Sequence, residues 1–181
     1  MNIFFALKAK ITNAPIANLS PNISGMGKLD LMGKNHSDEL YTPEIAFDLL
    51  KEYISKDKII FECAVGSGKL EKQIIRNGYK VISSNDFFNE FPEYDILITN
   101  PPYSIKDKFL EEAYKRDKPF AILLPITALE GIKRQSLYNK YGIEILFPPK
   151  RIDFNGKKAP WFYTAWFCWK IGLPNILTFN Q

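Results

Sequence analysis

The chain has 181 residues, 46% hydrophobic and 24% charged, values that fit one globular domain with a buried core and exclude disorder throughout. Twenty-four basic against 20 acidic residues leave a net charge of +4, which permits nucleic-acid contact without requiring it. Cys63 and Cys168 lie far apart in apolar runs with no CxxC, and no apolar run has the length of a membrane span or signal peptide, so neither a disulfide framework, a structural metal nor membrane association is expected, and a cytoplasmic location is.

Residues 1 to 34 open on Ile3-Phe4-Phe5-Ala6-Leu7 and continue through Asn, Pro, Ser and Gly without periodicity. They read as an N-terminal arm, flexible or packed on a partner, whose Lys8, Lys10, Lys28 and Lys34 can meet phosphate. A folded domain is expected over 35–175 and a tail over 176–181. Thr42 before Pro43 reads as a helix cap followed by proline at the first helical position, and Ile45, Ala46, Leu49, Leu50 and Tyr53 predict a helix over about 43–55. Lys56-Asp57-Lys58 then turns the chain into a short strand, Ile59 to Cys63, that carries a carboxylate, Glu62, near its end.

Ala64-Val65-Gly66-Ser67-Gly68 comes next, ahead of the helical pattern Leu70, Ile74, Ile75. Glycines at 66 and 68 between strand and helix describe a tight turn whose backbone can approach a ligand closely. The spacing of a Walker phosphate loop is absent, and so is the third glycine of the dinucleotide fingerprint, so an ordinary turn is the other reading. Asn77-Gly78 stops the helix, and the strand Tyr79 to Ser83 runs into Asn85-Asp86. A carboxylate at such a strand end holds ribose hydroxyls in nucleoside-binding α/β folds, which makes Asp86 the ribose candidate, with a solvated turn acid as the alternative. The stretch through Phe91-Pro92-Glu93-Tyr94 leaves little room for a further helix and strand before Asp95.

Ile96-Leu97-Ile98-Thr99 is a buried strand that ends in Asn100-Pro101-Pro102-Tyr103. Two prolines fix φ near about −65°, remove two backbone donors and push Asn100 out of the helical region. The loop therefore projects two in-plane acceptors, the Asn100 side-chain oxygen and the Pro101 carbonyl, and an aromatic ring, Tyr103. That set suits a planar exocyclic amine with its base stacked on the ring, although the same tetrapeptide also closes strands as a plain turn. Ser104 then reads as the cap of a helix bearing Phe109, Leu110, Ala113 and Tyr114, and Pro119 to Pro125 as a strand. A helix with Leu129, Ile132, Leu137 and Tyr138 stops at Tyr141-Gly142, and strands are expected at 143–147, 151–154 and 161–169, with a turn at Asn155-Gly156. Strand and helix in alternation, closing on antiparallel strands, predict a three-layer αβα sandwich.

The ordered set Thr42-Pro43, Glu62-x-x-x-Gly66-x-Gly68 and Asn100-Pro101-Pro102-Tyr103 resembles class I S-adenosylmethionine-dependent amino-methyltransferases, specifically the relatives of DNA adenine-N6 enzymes with the gamma arrangement. The resemblance spans about residues 38 to 169. Pro148 to Phe154 with Ala159-Pro160-Trp161 is similar to the ends of small phage or prophage adenine methyltransferases. It implies a Rossmann-like fold with a shortened middle, and methyl transfer from S-adenosyl-L-methionine to N6 of adenine in nucleic acid, DNA before RNA. By the same resemblance Tyr41, Thr42 and Pro43 contact the methionine part of the cofactor, and Glu62 faces its ammonium. Ala64, Gly66 and Gly68 pass beside it, Asp86 holds ribose or the adenine edge, and Asn100, Pro101, Pro102 and Tyr103 hold the target amine. Lys133, Arg134, Lys150, Arg151, Lys157 and Lys158 can hold phosphates near the mouth, or be simple surface charges. The chain departs from the family in its shortened middle, which usually carries a second acid and a third strand, and in lacking a large target-recognition domain. Asn-Pro-Pro-Tyr also serves glutamine-N5 and guanine-N2 methyltransferases, and a catalytically silent binding module on the same fold is the non-enzyme alternative.

Overall fold

The structure is a computed structural model that describes residues 42–154 and 162–179. The N-terminal arm, Tyr41, the Asn155-Gly156 turn, Lys157, Lys158 and Trp161 lie outside the described residues.

Apolar side chains alternate along the strands, so each strand feeds both faces of one sheet. Phe61, Leu97, Phe120, Ile122, Leu124 and Phe167 point to one side, and Ile60, Ile96, Ile98, Ala121, Leu123 and Trp166 to the other. The strands are β1 (Ile59–Glu62), β2 (Lys80–Ser83), β3 (Ile96–Thr99), β4 (Phe120–Pro125), β5 (Glu144–Phe147), β6 (Thr164–Trp169) and β7 (Leu177–Phe179). They form a seven-stranded sheet in the order β2-β1-β3-β4-β6-β5-β7. Neighbours from β2 to β4 are parallel, β6 runs antiparallel to both β4 and β5, and β7 is parallel to β5.

Helices cover both faces. Ala46, Phe47 and Leu50 of α1 (Glu44–Leu50) and Leu70 and Ile74 of α2 (Lys69–Arg76) pack on one. Phe109, Leu110, Ala113 and Tyr114 of α3 (Lys106–Lys115) pack on the other, with Leu137 and Tyr138 of α4 (Ile132–Tyr141). This is the three-layer sandwich expected from the sequence. Trp166 ties sheet to helix, its Nε1 donating to the Ala46 carbonyl at 2.8 Å.

The differences from the sequence reading are local. The first helix is α-helical only to Leu50, continues as a 3-10 turn over Lys51–Tyr53, and starts from Pro43 with no side-chain cap. Thr42 is not its cap because its hydroxyl is engaged elsewhere. Ser104 lies inside a 3-10 turn, Tyr103–Ile105, and α3 begins only at Lys106. Residues 151–154 form no strand: Ile152 is buried in the core, but the stretch finds no ladder partner. The tail expected over 176–181 contributes β7. Between β2 and β3 there is neither helix nor strand, which leaves β2 at a sheet edge and agrees with the shortened middle. No described helix is long and apolar enough to cross a membrane.

Candidate active site

Because β1, β3 and β4 are parallel, the loops that leave their carboxyl ends gather along one edge of the sheet, where open α/β sheets bind ligands. A cleft of about 250 Å³ lies there. Its wall includes Thr42, Glu62, the turn from Ala64 to Ser67, Asn85, Phe87, Phe88, and the run Asn100, Pro101, Pro102. Three sequence signals that lie well apart along the chain thus meet in one place.

Glu62 ends β1 and is only 1% exposed. Its Oε1 accepts from Thr99 Oγ1 at 2.6 Å and from the Ala64 N–H at 2.9 Å. Burial pushes its carboxyl up to about 7, and these two bonds oppose the rise without cancelling it. The described hydrogen-bond partners are uncharged donors, so none of them compensates the charge that Glu62 carries when it ionises. Thr99 was legible only as the last residue of an apolar run, and its role depends on β3 lying next to β1.

The turn after β1 is built by its glycines. Gly66 has φ 51° and Gly68 φ 70°, left-handed values that side chains with a Cβ rarely adopt. The Gly68 N–H closes the turn on the Val65 carbonyl at 2.8 Å. The Gly66 N–H donates to Asn85 Oδ1 at 3.2 Å, which ties the turn to the end of β2.

At that end the structure and the sequence reading part. Asn85 lines the cleft, and Asp86 does not. The Asp86 carboxylate accepts from Asn89 Nδ2 at 2.8 and 3.0 Å, closing a local turn. Phe87, Phe88 and Phe109 give this part of the wall an apolar surface that sequence reasoning missed. Phe88 is 39% exposed, and the sequence offered only an aromatic pair in a loop as its signal.

Elsewhere along the wall, Asn100 Nδ2 donates to Thr42 Oγ1 at 3.1 Å. Pro43 continues from Thr42 in extended conformation, φ −68° and ψ 154°. Tyr103, expected to present its ring to a base, is instead 7% exposed and absent from the cleft wall. Its ring meets Phe162 edge-on at 5.9 Å, its hydroxyl is buried with no hydrogen-bond partner among the described residues, and burial holds the phenol well above its ordinary range. Tyr103 opens the 3-10 turn that follows the two prolines, Tyr103–Ile105.

The basic residues divide. Lys133, Lys150 and Arg151 are exposed. Arg134 is not a free phosphate holder: its Nη1 pairs with Asp107 and its Nε donates to the Ala128 carbonyl at 2.8 Å, pinning the start of α4 to α3.

No protein-family model matches the sequence, and no curated protein does. Solved structures do match in shape. A protein from Listeria monocytogenes assigned as a class I S-adenosylmethionine-dependent methyltransferase superposes with a TM-score of 0.56 at 13% identity, covering 80% of this chain and 66% of that one. A dimethyladenosine transferase from Plasmodium falciparum gives 0.43 at 14% identity over 71% of this chain and 62% of that one. The modification subunit of a type I restriction enzyme assigned in Vibrio vulnificus gives 0.45 at 12% identity over 77% of this chain and 45% of that one. This chain thus spans just under two thirds of the length of the first two. With the strand order and the three layers, the first likeness identifies the fold as that of the class I S-adenosylmethionine-dependent methyltransferases.

Proposed function

We propose that residues 35–175 form an S-adenosylmethionine-dependent N-methyltransferase acting on a planar exocyclic amine, N6 of adenine in nucleic acid, with DNA the first acceptor to test. The observation that carries this reading is the buried Glu62, with uncharged hydrogen-bond partners, at one part of a cleft whose wall also holds Asn100-Pro101-Pro102. The residues present fit the cofactor. An ammonium neutralises Glu62, the open Gly66 turn admits a ligand beside it, and the apolar wall of Phe87 and Phe88 suits a purine. Thr42 and Pro43, on the Asn100 side, are the described part of the segment that the family resemblance assigns to the methionine portion. Asn85 has the better position for ribose than Asp86, which would first have to give up Asn89.

When bound, S-adenosylmethionine supplies a methyl group on a sulfonium, open to in-line displacement. The protein's part is positioning, which can be worth several kcal/mol of the barrier, about 7 or more in well-oriented cases. The Asn100 side-chain oxygen and the Pro101 carbonyl accept the two hydrogens of the amine, localise its lone pair and favour the positive charge that develops on nitrogen. No general base is needed before transfer. A duplex adenine has to be flipped to reach the loop, with Lys133 and Lys150 available to phosphates and the Tyr103 ring uncovered from Phe162 to stack on it.

The buried Tyr103 ring also favours a second reading, a silent fold used as a binding module. Calorimetry with S-adenosylmethionine separates the two, since a silent module without a cofactor seat gives no heat of binding. Methyl-labelled cofactor offered with DNA, RNA and protein then tests the acceptor. Label in DNA supports the reading, and label in protein alone transfers it to glutamine.

A further inference from the structure

We infer that the joined first turns of α3 and α4 form the surface on which a DNA duplex docks, with Ile132 as an apolar wedge entering the base stack and Lys108 and Lys133 on the flanking phosphates. This role rests on the methyltransferase function proposed for the cleft. The two turns lie together because the loops after β3 and β4 leave the same edge of the sheet, and the Arg134 guanidinium pairs with Asp107 across them. Ile105, two residues before Asp107, is part of the cleft wall, so this surface borders the cleft.

A lone exposed isoleucine is ordinary on a protein surface. Ile132 differs because it is both bare and braced. It is 84% exposed and directly follows Gly131, which has φ 95°. A Cβ at Gly131 would stand 2.8 Å from Arg134 Nη2, so glycine is required there by space as well as by conformation. Arg134 Nε and the Tyr138 hydroxyl both donate to the Ala128 carbonyl, at 2.8 and 3.0 Å, and fix α4 to the turn that precedes it. An apolar side chain on such a tip can fill the gap that an extruded base leaves, as wedge residues do in proteins that unstack a duplex. The nearby charges favour a polyanion. Lys108 and Lys133 are exposed, and neither pairs with a carboxylate among the described residues. At and just past the far end of α3, by contrast, Lys115 and Arg116 pair with Glu112, and Lys118 with Glu93. Cations around α3 are thus neutralised away from the cleft and left open beside it. Glu130, exposed next to the tip, is the carboxylate that opposes docking.

The test uses the full chain and adenine-containing DNA, offered native or heat-denatured. Ile132→Ser removes the wedge, Ile132→Leu keeps an apolar tip, and Lys108→Ala combined with Lys133→Ala removes the two charges. By label transfer, Ile132→Ser should lose on the order of tenfold in kcat/KM on native DNA, where a base has to leave the stack. On denatured DNA its loss should stay within about threefold, and Ile132→Leu should recover native DNA to a similar margin. Binding is read without turnover, by fluorescence anisotropy of a labelled duplex. The lysine variant should bind more weakly, and its slope of log affinity against log salt should be shallower by about 2. Full activity of Ile132→Ser on native DNA, or an equal loss on both forms, overturns the wedge, and an unchanged salt slope overturns the phosphate contacts. A dimer in sedimentation that Ile132→Ser converts to a monomer would assign the tip to self-association and overturn the inference as well. Failure of the function proposed for the cleft looks different: no label reaches either form of DNA, while duplex binding still depends on Lys108 and Lys133.

Discussion

Burial raises the Glu62 carboxyl from an ordinary value of 4.5 to about 7. Between these values the folded chain keeps a proton that the unfolded chain has released. Stability from this group is therefore greatest below 4.5, declines as pH rises toward 7, and above 7 the fold carries the full cost of a buried charge, about 3 kcal/mol. Glu62→Gln should raise the unfolding midpoint of the ligand-free protein at alkaline pH and leave it nearly unchanged in acid, as measured by thermal unfolding at both. An ammonium ligand pairs only with the ionised form. Affinity for S-adenosylmethionine should then weaken by roughly tenfold per pH unit below 7, with proton release on binding, and Glu62→Gln should remove that dependence. A flat affinity across the neutral range would contradict the assignment. Tyr103 makes a second prediction at this scale. Its buried hydroxyl, which has no hydrogen-bond partner among the described residues, costs about 1 to 3 kcal/mol, so Tyr103→Phe should stabilise the ligand-free fold in denaturant titration. Turnover should survive, because stacking needs the ring and not the hydroxyl.

The turn after β1 shows what an element can require that no single side chain supplies. Alanine at Gly66 must adopt φ near 51°, at a strain of about 1 to 2 kcal/mol. At Gly68 a new Cβ would also stand 3.3 Å from Glu71 Oε2. Gly66→Ala should thus lower stability modestly while disturbing the backbone beside Glu62, so that cofactor affinity falls by more than stability does; the comparison is calorimetry against thermal unfolding. This turn was legible because glycine spacing is a backbone signal. The Thr42 hydroxyl was not, because a Thr-Pro pair ahead of an apolar helix has a local explanation, and its contact with Asn100 spans 58 positions of sequence. Residues 151–154 misled for the opposite reason. Their alternation reflects Ile152 packing into the core, which needs an extended chain but no neighbour in the ladder. β7 was missed because its few residues, Leu177–Phe179, are too short to show a period.

For the whole molecule, the alternation of buried strands and amphipathic helices was enough to read the three layers, since the central strands are apolar throughout and the helices on one side only. Strand order was not readable, and the placing of β6 between β4 and β5 decides how the sheet closes. The shortened middle posed a structural problem that the chain meets with Arg116. This α3-terminal residue stacks on Phe87 at 4.1 Å and on Phe91 at 4.6 Å, and donates to the Phe87 carbonyl, holding the segment after β2 without a helix of its own. Arg116→Ala should therefore loosen the Phe87 and Phe88 wall and weaken cofactor binding from outside the cleft, visible as faster amide exchange over 84–94. The central claim, that the loop from Asn100 to Tyr103 receives an amine for methylation, is tested most directly by nucleoside mass spectrometry of DNA incubated with S-adenosylmethionine and either the unsubstituted protein or Asn100→Ala. N6-methyladenine formed by the first and absent with the second, while both bind the cofactor within a few-fold, is the predicted result. Equal product from Asn100→Ala, or none from a protein that binds the cofactor, would contradict it.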